Sequence, residues 1–414
     1  MEFESFDLSN GIRVIHRRND RPVAHCSIMI NAGSRDEKPG EQGLAHFIEH
    51  VLFKGTRKRK AYHVLSRMED AGGELNAYTD KETTVIYTSF LKPDYPRATD
   101  LIFDIVLNST FPARELEREK EVILDEINSY KDSPSELIFD DFEELLFPEH
   151  PLGTSILGTP GKVRHFRQRD VKRFINREYG TNRMVFSSVG DISTARLRKL
   201  LEKQLSGSDL TTSSLERTKP GPYKALHKTQ DLSNFQSHLI VGNRAYPAWR
   251  EKSLALLLLN NILGGPGMNS RLNLNIRERY GYTYNLESYY TPYSDTGVFG
   301  IYAGTDPANL SQTQKLIMRE LKKLREKSLG VLQLSKAKRQ FMGQLAMAQE
   351  NNTALMLALG KSLLQFDHID TFEEIQKKLS AITASQLMEV ANEIFVPREL
   401  STLIYEPGER HSEG

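Results

Sequence analysis

Hydrophobic and polar positions repeat along this chain with two different periods. Short runs in which apolar residues alternate with polar ones, or in which β-branched residues dominate, are typical of β-strands. Such runs lie at 11–16, 23–30, 74–79, 83–90 and 184–189. Apolar residues spaced three and four apart indicate amphipathic helices. This spacing occurs at 44–53 and 114–127, so the pattern predicts an α+β protein.

The pattern starts again in the second half of the chain. Residues 43–55 align without a gap onto 253–265, and residues 116–137 align onto 334–355. Two ungapped matches at similar offsets indicate an internal duplication. We therefore expect two copies of an α/β sandwich, each with a mixed or antiparallel sheet and helices packed on it.

Length and local composition suggest where one copy ends and the next begins. A chain of 414 residues is too long for one ordinary core and suggests two domains. The stretch 206–219 is rich in Gly, Ser and Thr, as linkers are. We predict a first, metal-binding half at 1–210, a linker at 211–231 and a second half without metal at 232–414.

The composition is that of a globular protein without a dominant charge. Hydrophobic residues make up 39% and charged residues 26% of the chain, and the formal net charge is +1. A nucleic-acid partner is therefore not expected. The single cysteine, Cys26, can form neither an intramolecular disulfide nor a cysteine-based zinc cluster, which fits a reducing compartment.

The sequence favours a cytoplasmic protein without a membrane partner. Residues 1–7 are acidic and lack both the apolar run of a secretory signal and the arginines of a transit peptide. The longest apolar stretch, 254–259, is too short to span a bilayer. A matured chain whose signal had been removed would look the same.

Candidate chemistry concentrates in the helix predicted at 44–53. His46 and His50 lie four residues apart and share one helical face, so both imidazoles can reach one metal ion. Glu49 borders that face, where a carboxylate can take a proton from a metal-activated water. His-x-x-Glu-His is a metalloprotease signature, although the short string also arises by chance. A third ligand would decide between these readings, because catalytic zinc usually holds three protein ligands and a water.

The helix predicted at 114–127 supplies a candidate for that third ligand. Most of its carboxylates are expected on a solvated face, but Glu126 sits within an apolar run. We predict that His46, His50 and Glu126 hold one Zn²⁺ per chain. Glu119, two turns earlier on nearly the same face, is expected to steady a ligand histidine through a hydrogen bond.

The second copy of the duplicated unit lacks every member of this set. The aligned pairs are His46 and Leu256, Glu49 and Leu259, His50 and Asn260, Glu119 and Ala337, and Glu126 and Gln344. If these residues had only structural roles, there would be no reason for all five to be replaced together in the second copy. The set therefore behaves as one functional unit.

These residues carry a family resemblance. The string 46–50, followed by Glu126, resembles the inverted-motif zinc peptidases, which include pitrilysin, insulin-degrading enzyme and the mitochondrial processing peptidase. The surrounding words at 53–56, 72–79 and 121–127 match as well. The resemblance covers nearly the whole chain and fits the short, processing-peptidase-like branch. It implies two halves that form a clam-shell around an enclosed cavity, and chains that pair.

The resemblance also implies residues that contact substrate. Asn76 and Ala77 match an edge strand that aligns an extended peptide by main-chain hydrogen bonds. Arg277 and Tyr284 match a pair that polarises the scissile carbonyl, although Tyr282 fits the pattern in a register shifted by two residues. Without the resemblance, this segment would read as an ordinary helix end followed by an aromatic-rich strand.

The sequence thus predicts a zinc-dependent metallo-endopeptidase that hydrolyses unfolded peptides in an enclosed cavity. Because the chain carries both the zinc motif and the Arg277 segment, a homodimer is favoured over a heterodimer with an inactive homologue. Two alternatives remain open at this level. One is a catalytically inactive core or assembly subunit of the same fold, and the other is a metal-dependent hydrolase of a non-peptide substrate.

Overall fold

The computed structural model describes residues 3–206, 210–232 and 235–408. These residues form two compact units, each assembled from separate stretches of the chain. Unit 1 contains the residues up to Asn128, Thr154–Thr218 and Ala346–Thr371. Unit 2 contains Ser129–Gly153, Lys219–Leu345 and the residues from Phe372 onward.

Unit 1 is built around a mixed sheet of six strands. The strands are β1 (Glu4–Asp7), β2 (Arg13–Arg18), β3 (Val23–Ile30), β4 (Glu74–Thr79), β5 (Thr84–Leu91) and β6 (Met184–Gly190). Their order in the sheet is β1-β2-β6-β3-β5-β4, so β4 lies at one edge. The β2–β6 pair is parallel and all the other pairs are antiparallel. The predicted strands, including the hairpin, are confirmed to within one or two residues at their ends.

Unit 2 contains a sheet of five strands with the same connectivity. The strands are β7 (His227–Leu232), β8 (Ser237–Ala245), β9 (Thr283–Pro292), β10 (Gly297–Thr305) and β11 (Ser401–Pro407). Their order is β7-β11-β8-β10-β9, and only β7–β11 is parallel. Leaving β1 aside, the first, last, second, fourth and third strands follow one another in both sheets, as a duplicated unit requires. The predicted α+β class with two sheets is confirmed.

Helices cover both sheets. In chain order they are α1 (Leu44–Leu52), α2 (Ala61–Glu69), α3 (Tyr95–Asn108), α4 (Ala113–Lys131), α5 (Pro134–Leu146), α6 (Pro160–Val163), α7 (Gln168–Glu178), α8 (Thr194–Gln204), α9 (Ser253–Gly264), α10 (Glu278–Tyr280), α11 (Leu310–Glu326), α12 (Val331–Ala348), α13 (Asn352–Phe366), α14 (Phe372–Ala381) and α15 (Ala384–Ile394). Within the described chain, none is long and apolar enough to cross a membrane.

Each sheet has a hydrophobic core on both faces. On one face of the unit 1 sheet, side chains such as Ile28 and Phe186 pack with α1 and α3. On the other face, Met29 and Val185 pack against Met356 of α13. In unit 2, α9, α11 and α15 cover one face, and α5 covers the other. Burial of both faces explains why the central strands read as almost continuous apolar runs.

The units do not coincide with the two halves of the sequence. Helix α5 precedes the predicted linker but belongs to unit 2, and α13 lies in the second half but belongs to unit 1. Residues 207–209 of the predicted linker lie outside the described residues. The part that follows them is held on unit 1, where Thr181 N–H donates to the Thr211 carbonyl at 2.8 Å and Arg217 pairs with Asp36 at 2.8 Å. The division of the sequence at 211–231 stays a prediction.

Candidate active site

Helix α1 presents the His-x-x-Glu-His string from a fully packed core. The apolar side chains of α1 are buried, as the periodicity predicts. They belong to Leu44, Phe47, Ile48, Val51 and Leu52. The helix begins after Gly43, whose φ of 92° is left-handed. A Cβ at Gly43 would lie 2.7 Å from the Leu157 carbonyl oxygen, so only glycine fits this close approach. The polar face of α1 is thereby fixed relative to the core.

Glu37 caps this helix from outside it. Gly43 has no side chain with which to cap the first turn, and the Glu37 carboxylate accepts hydrogen bonds from the N–H groups of Gly43 at 3.0 Å and Ala45 at 2.8 Å. Burial raises the pKa of Glu37 to about 8, although these two hydrogen bonds act in the opposite direction. Glu37 satisfies two donors at the helix start that would otherwise be orphaned in the interior.

The structure brings His46, His50 and Glu126 together. His46 Nε2 lies 3.7 Å from Glu126 Oε1, and His50 Nε2 lies 3.5 Å from Glu126 Oε2. One ligand atom from each residue lies within 4.8 Å of the others. Ligands about 2.0–2.2 Å from a tetrahedral zinc ion are separated by roughly 3.3 Å, so these donors fit zinc in type and spacing. The Glu126 side chain is 43% exposed, which leaves the site open on one side.

Glu119 holds His50 from behind. Its Oε2 lies 3.3 Å from His50 Nδ1, and its Oε1 lies 2.7 Å from the Lys54 ammonium. A carboxylate at Nδ1 keeps the proton there and leaves Nε2 free as a metal ligand. Lys54 balances the charge of Glu119, whose pKa is lowered because the hydrogen bonds from His50 and Lys54 outweigh burial. Glu119 is thus in contact with His50, and its role in steadying a metal ligand stays a prediction.

The two histidines experience different electrostatic environments. Burial, together with the neighbouring His50, lowers the pKa of His46 to about 3. Burial also acts to lower the pKa of His50, but the hydrogen bond to Glu119 and the charges of Glu126 and Glu49 outweigh it and raise that pKa. His46 is therefore neutral over the physiological range, the form in which imidazole binds metals.

Glu49 lies beside the metal-ligand cluster and is partly buried. Burial raises the pKa of its carboxyl, whereas Thr79 at the end of β4 and the neighbouring His50 lower it. A carboxylate with a raised pKa is a better proton acceptor than a surface glutamate. The charges of His50 and Glu126 act on Glu49, and its role as general base stays a prediction.

Strand β4 runs beside α1 and has one free edge among the described residues. Asn76 pairs with Tyr87 and Ala77 with Ile86 of β5, and no strand of the described chain pairs with the opposite edge of β4. Asn76 is exposed, and Ala77 packs partly on the core of unit 1. The predicted edge strand is confirmed as an edge; its contact with a peptide stays a prediction.

In unit 2, Arg277 and Tyr284 lie close to each other. The Arg277 guanidinium carbon lies 5.8 Å from the centroid of the Tyr284 ring. Arg277 ends a π-helical turn, Asn273–Arg277, a distortion that is frequent at functional sites. The Tyr284 side chain is 79% exposed, whereas Tyr282 stacks on Tyr280 and packs on the core. Tyr284 is thus the more accessible of the two candidate tyrosines.

The second copy keeps a polar contact without metal ligands. Leu256 and Leu259 occupy the positions of His46 and Glu49 in α9 and are buried. Gln344 of α12, aligned with Glu126, accepts a hydrogen bond from Asn261 Nδ2 at 2.6 Å. An amide pair therefore joins α9 and α12 through Gln344, which aligns with Glu126, and Asn261, which follows the residue aligned with His50.

Sequence reasoning did not assign roles to Glu37, Lys54 or Thr79. Lys54 follows His50 by four residues, which could have indicated a shared surface with the motif. Glu37 lies in a loop six residues before Gly43, and only the folded loop brings its carboxylate to α1. Thr79 influences Glu49 because β4 packs beside α1, and the local sequence contains no signal for that packing.

The two-sheet fold and the His46–His50–Glu126 cluster together fit a family of zinc peptidases, and comparison with models of protein families agrees. Residues 13–160 match the family model described as insulinase (peptidase family M16), and residues 165–341 match the peptidase M16 inactive domain. The chain belongs to peptidase family M16, which confirms the predicted resemblance.

Several bacterial relatives match the chain along almost its whole length. A Rickettsia bellii protein named as an uncharacterized zinc protease is 33% identical over 97% of both chains. The uncharacterized zinc protease YmxG of Bacillus subtilis is 31% identical over 97% of this chain and 98% of its own. This chain therefore lies in the small bacterial branch of the family.

Solved structures show the same fold at lower sequence identity. A Pseudomonas fluorescens structure described as a peptidase M16 inactive domain superposes with a TM-score of 0.92 at 20% identity, covering 99% of this chain and 98% of that one. A protease from Helicobacter pylori gives a TM-score of 0.90 at 22% identity, covering 98% and 100%.

Proposed function

We propose that this protein is a zinc-dependent metallo-endopeptidase that hydrolyses unfolded peptides. One observation carries the proposal: His46, His50 and Glu126 converge with metal-ligand spacing, with Glu49 beside them. Membership of a family whose bacterial relatives are named zinc proteases supports it. One zinc ion per chain is proposed because the active site is assigned to this one cluster, which carries the His-x-x-Glu-His string.

The proposed mechanism assigns each residue a chemical task. A zinc ion held by His46, His50 and Glu126 would act as a Lewis acid on the scissile carbonyl and its attacking water. Glu49 accepts the proton of that water and then donates it to the leaving amine. Glu119 keeps His50 in the tautomer that presents Nε2, and Lys54 holds Glu119 in place.

Substrate alignment is proposed for β4 and for the Arg277 segment. An extended peptide that adds to the free edge of β4 would bind mainly through its main chain, with Asn76 and Ala77 at the point of contact. Such binding requires an unfolded segment, which is why unfolded peptides are the proposed substrates. Arg277 and Tyr284 would donate hydrogen bonds to the oxyanion that develops on the carbonyl.

We also propose that the protein acts as a homodimer in the cytoplasm. A chain that carries both the zinc ligands and the Arg277–Tyr284 pair is self-sufficient and needs no inactive homologue. Sedimentation of the purified chain tests the dimer, and a monomer would contradict it. A peptidase assay of the chain alone tests self-sufficiency, and activity that appears only after a second protein is added would contradict that.

The decisive experiment compares the wild-type chain with Glu49→Gln on a quenched fluorescent unfolded peptide, with bound zinc measured in both. We expect the variant to retain zinc and to lose at least about 100-fold in kcat/KM, because general base catalysis contributes 10²–10⁴-fold. Glu69→Gln, an exposed glutamate at the end of α2, is the matched control and should keep full activity.

Other outcomes would support the alternatives. A wild-type chain that binds zinc but cleaves no peptide would favour a non-peptide substrate. A chain that neither binds zinc nor cleaves peptides would favour an inactive assembly subunit of the same fold.

A further inference from the structure

Unit 1 contains a second concave site that the proposed peptidase chemistry does not use. It is a cavity of about 680 Å³ between the start of α3, the end of β6 and helix α8. Its apolar lining comes from Pro93, Tyr95, Pro96, Ile192 and Leu200. The Gln204 side chain donates to the Pro96 carbonyl at 2.9 Å and ties α8 to α3. A cavity of this volume accommodates a small organic molecule.

The charged residues that line the cavity are almost all cations. Arg196, Lys199 and Lys203 extend from α8, and Arg18 and Lys92 contribute two more positive charges. The carboxylate in the lining is Asp191, whose oxygens lie 2.9 Å from Lys92 and 3.4 Å from Arg18. Asp191 therefore offsets one of five positive charges and leaves the cations of α8 without a counter-charge in the lining.

The three cations of α8 are close neighbours along the helix. Arg196 and Lys199 are three residues apart, and Lys199 and Lys203 are four apart, so neighbouring like charges repel one another. All three side chains are exposed, and none forms an ion pair within residues 3–206, 210–232 and 235–408. An anionic ligand would relieve the repulsion along α8.

We propose that this cavity binds a small organic ligand that carries two or more phosphate groups. From Arg196 to Lys203, α8 rises roughly 10 Å at 1.5 Å per residue, which suits a ligand with several anionic groups in a row. Lys and Arg side chains bind phosphate oxygens by charge-assisted hydrogen bonds. The apolar lining formed by Pro93, Pro96 and Leu200 suits a flat, uncharged part of the same ligand.

The test is equilibrium binding to the full-length chain, measured by calorimetry at about 0.15 M salt. The probes are ADP, inorganic tripolyphosphate and vesicles that contain a phosphorylated inositol lipid. The cavity variant is Lys199→Glu with Lys203→Glu, and a milder variant is Lys199→Gln with Lys203→Gln. Lys172→Glu with Lys224→Glu, both exposed, matches the change in net charge and is the control.

We expect at least one probe to bind the wild type and the control with equal affinity. The same probe should bind the cavity variant, Lys199→Glu with Lys203→Glu, at least about tenfold more weakly. The Gln variant should lose less than the Glu variant, because it removes the attraction without adding repulsion. Binding of ADP or tripolyphosphate identifies a free phosphate compound, and binding of vesicles alone identifies a lipid headgroup.

Two results would overturn the proposal. One is the absence of binding for all three probes, or binding to the cavity variant that is as tight as binding to the wild type. The other is an equal loss of binding in the control, which would show that net charge, and not this cavity, attracts the anion. Circular dichroism of each variant shows whether the chain keeps its helical content, and the Gln variant keeps the test valid if the Glu variant does not fold.

Discussion

At the scale of single residues, His50 is the position on which the geometry of the candidate site depends. Its Nδ1 faces Glu119 and its Nε2 faces Glu126, so each ring nitrogen has a defined partner. A neutral imidazole has one donor and one acceptor nitrogen. Glu119 accepts from Nδ1 and therefore determines that Nε2 is the nitrogen available to a metal.

Glu119→Gln should weaken zinc binding by about 10–100-fold, since loss of the group that orients a ligand histidine typically has that effect. The amide keeps the shape but loses the charge that pairs with Lys54 and favours the Nδ1–H tautomer. Competition with a chromogenic chelator measures the zinc affinity. Glu121→Gln, an exposed glutamate of the same helix, is the control. Unchanged zinc affinity in Glu119→Gln would show that His50 does not need this contact.

At the scale of elements, α1 depends on a cap that it does not itself contain. Glu37→Ala would leave the N–H groups of Gly43 and Ala45 without their acceptor in the interior. We expect the free energy of unfolding to fall by about 2–4 kcal/mol, because each buried unsatisfied donor costs about 1–3 kcal/mol. Urea unfolding measures the change.

Glu37→Gln is the conservative comparison, because its amide oxygen can still accept one of the two hydrogen bonds. It should lie between the wild type and Glu37→Ala in stability. If Glu37→Ala is as stable as the wild type, the start of α1 is satisfied in another way.

The loop before α1 should also respond to acid. Burial acts to raise the pKa of Glu41, but the hydrogen bonds from Arg177 and from the Lys38 N–H outweigh it and lower that pKa. A carboxyl whose pKa is lower in the folded state stabilises the fold above its unfolded pKa, and this stabilisation is lost as the pH falls through the folded value. Unfolding experiments below about pH 4.5 should therefore show a steeper loss of stability in the wild type than in Glu41→Gln. Parallel curves for the two chains would contradict this expectation.

At the scale of the whole molecule, the two units share one strand order but differ in chemistry. The described ligand cluster His46–His50–Glu126 belongs to unit 1. Unit 2 contributes Arg277 and Tyr284. The proposed function assigns the metal ligands and the general base to unit 1 and two hydrogen-bond donors to unit 2.

Tyr284→Phe should lower kcat by about 10²-fold with zinc content unchanged, which is the usual cost of removing one oxyanion donor. Tyr282→Phe is the matched control, since Tyr282 stacks on Tyr280, and it should retain most activity. The two variants are compared by steady-state kinetics on the same unfolded peptide. A larger loss in Tyr282→Phe would shift the assignment of the carbonyl-facing tyrosine by two residues.

Local periodicity was sufficient to predict much of the fold. The run at 23–30 predicted β3 at its exact bounds, and the apolar spacing of 44–53 predicted α1 to within one residue. These elements are visible in the sequence because burial on a helix or strand repeats at a fixed interval. The duplicated pattern likewise predicted two sheets, and the matching strand orders agree with it.

The membership of α5 and α13 could not be predicted in this way. Both helices have ordinary amphipathic or apolar patterns, and each packs on the sheet of the unit formed mainly by the other half of the sequence. An apolar face shows that a helix is buried, but it does not identify the sheet that buries it. Contacts between distant segments of the chain determine which sheet buries each helix.

The sequence by itself determined the local features of this protein: the face shared by His46 and His50, the helix that carries them, and the absence of the same residues from the second copy. Each of these depends on residue type and on the fixed geometry of a helical turn. Only the tertiary structure decided that Glu126 lies 3.5 Å from His50, that Glu37 caps α1 and that β4 is an edge. These features join residues far apart in the chain, and their distances follow from how the sheet and its helices pack.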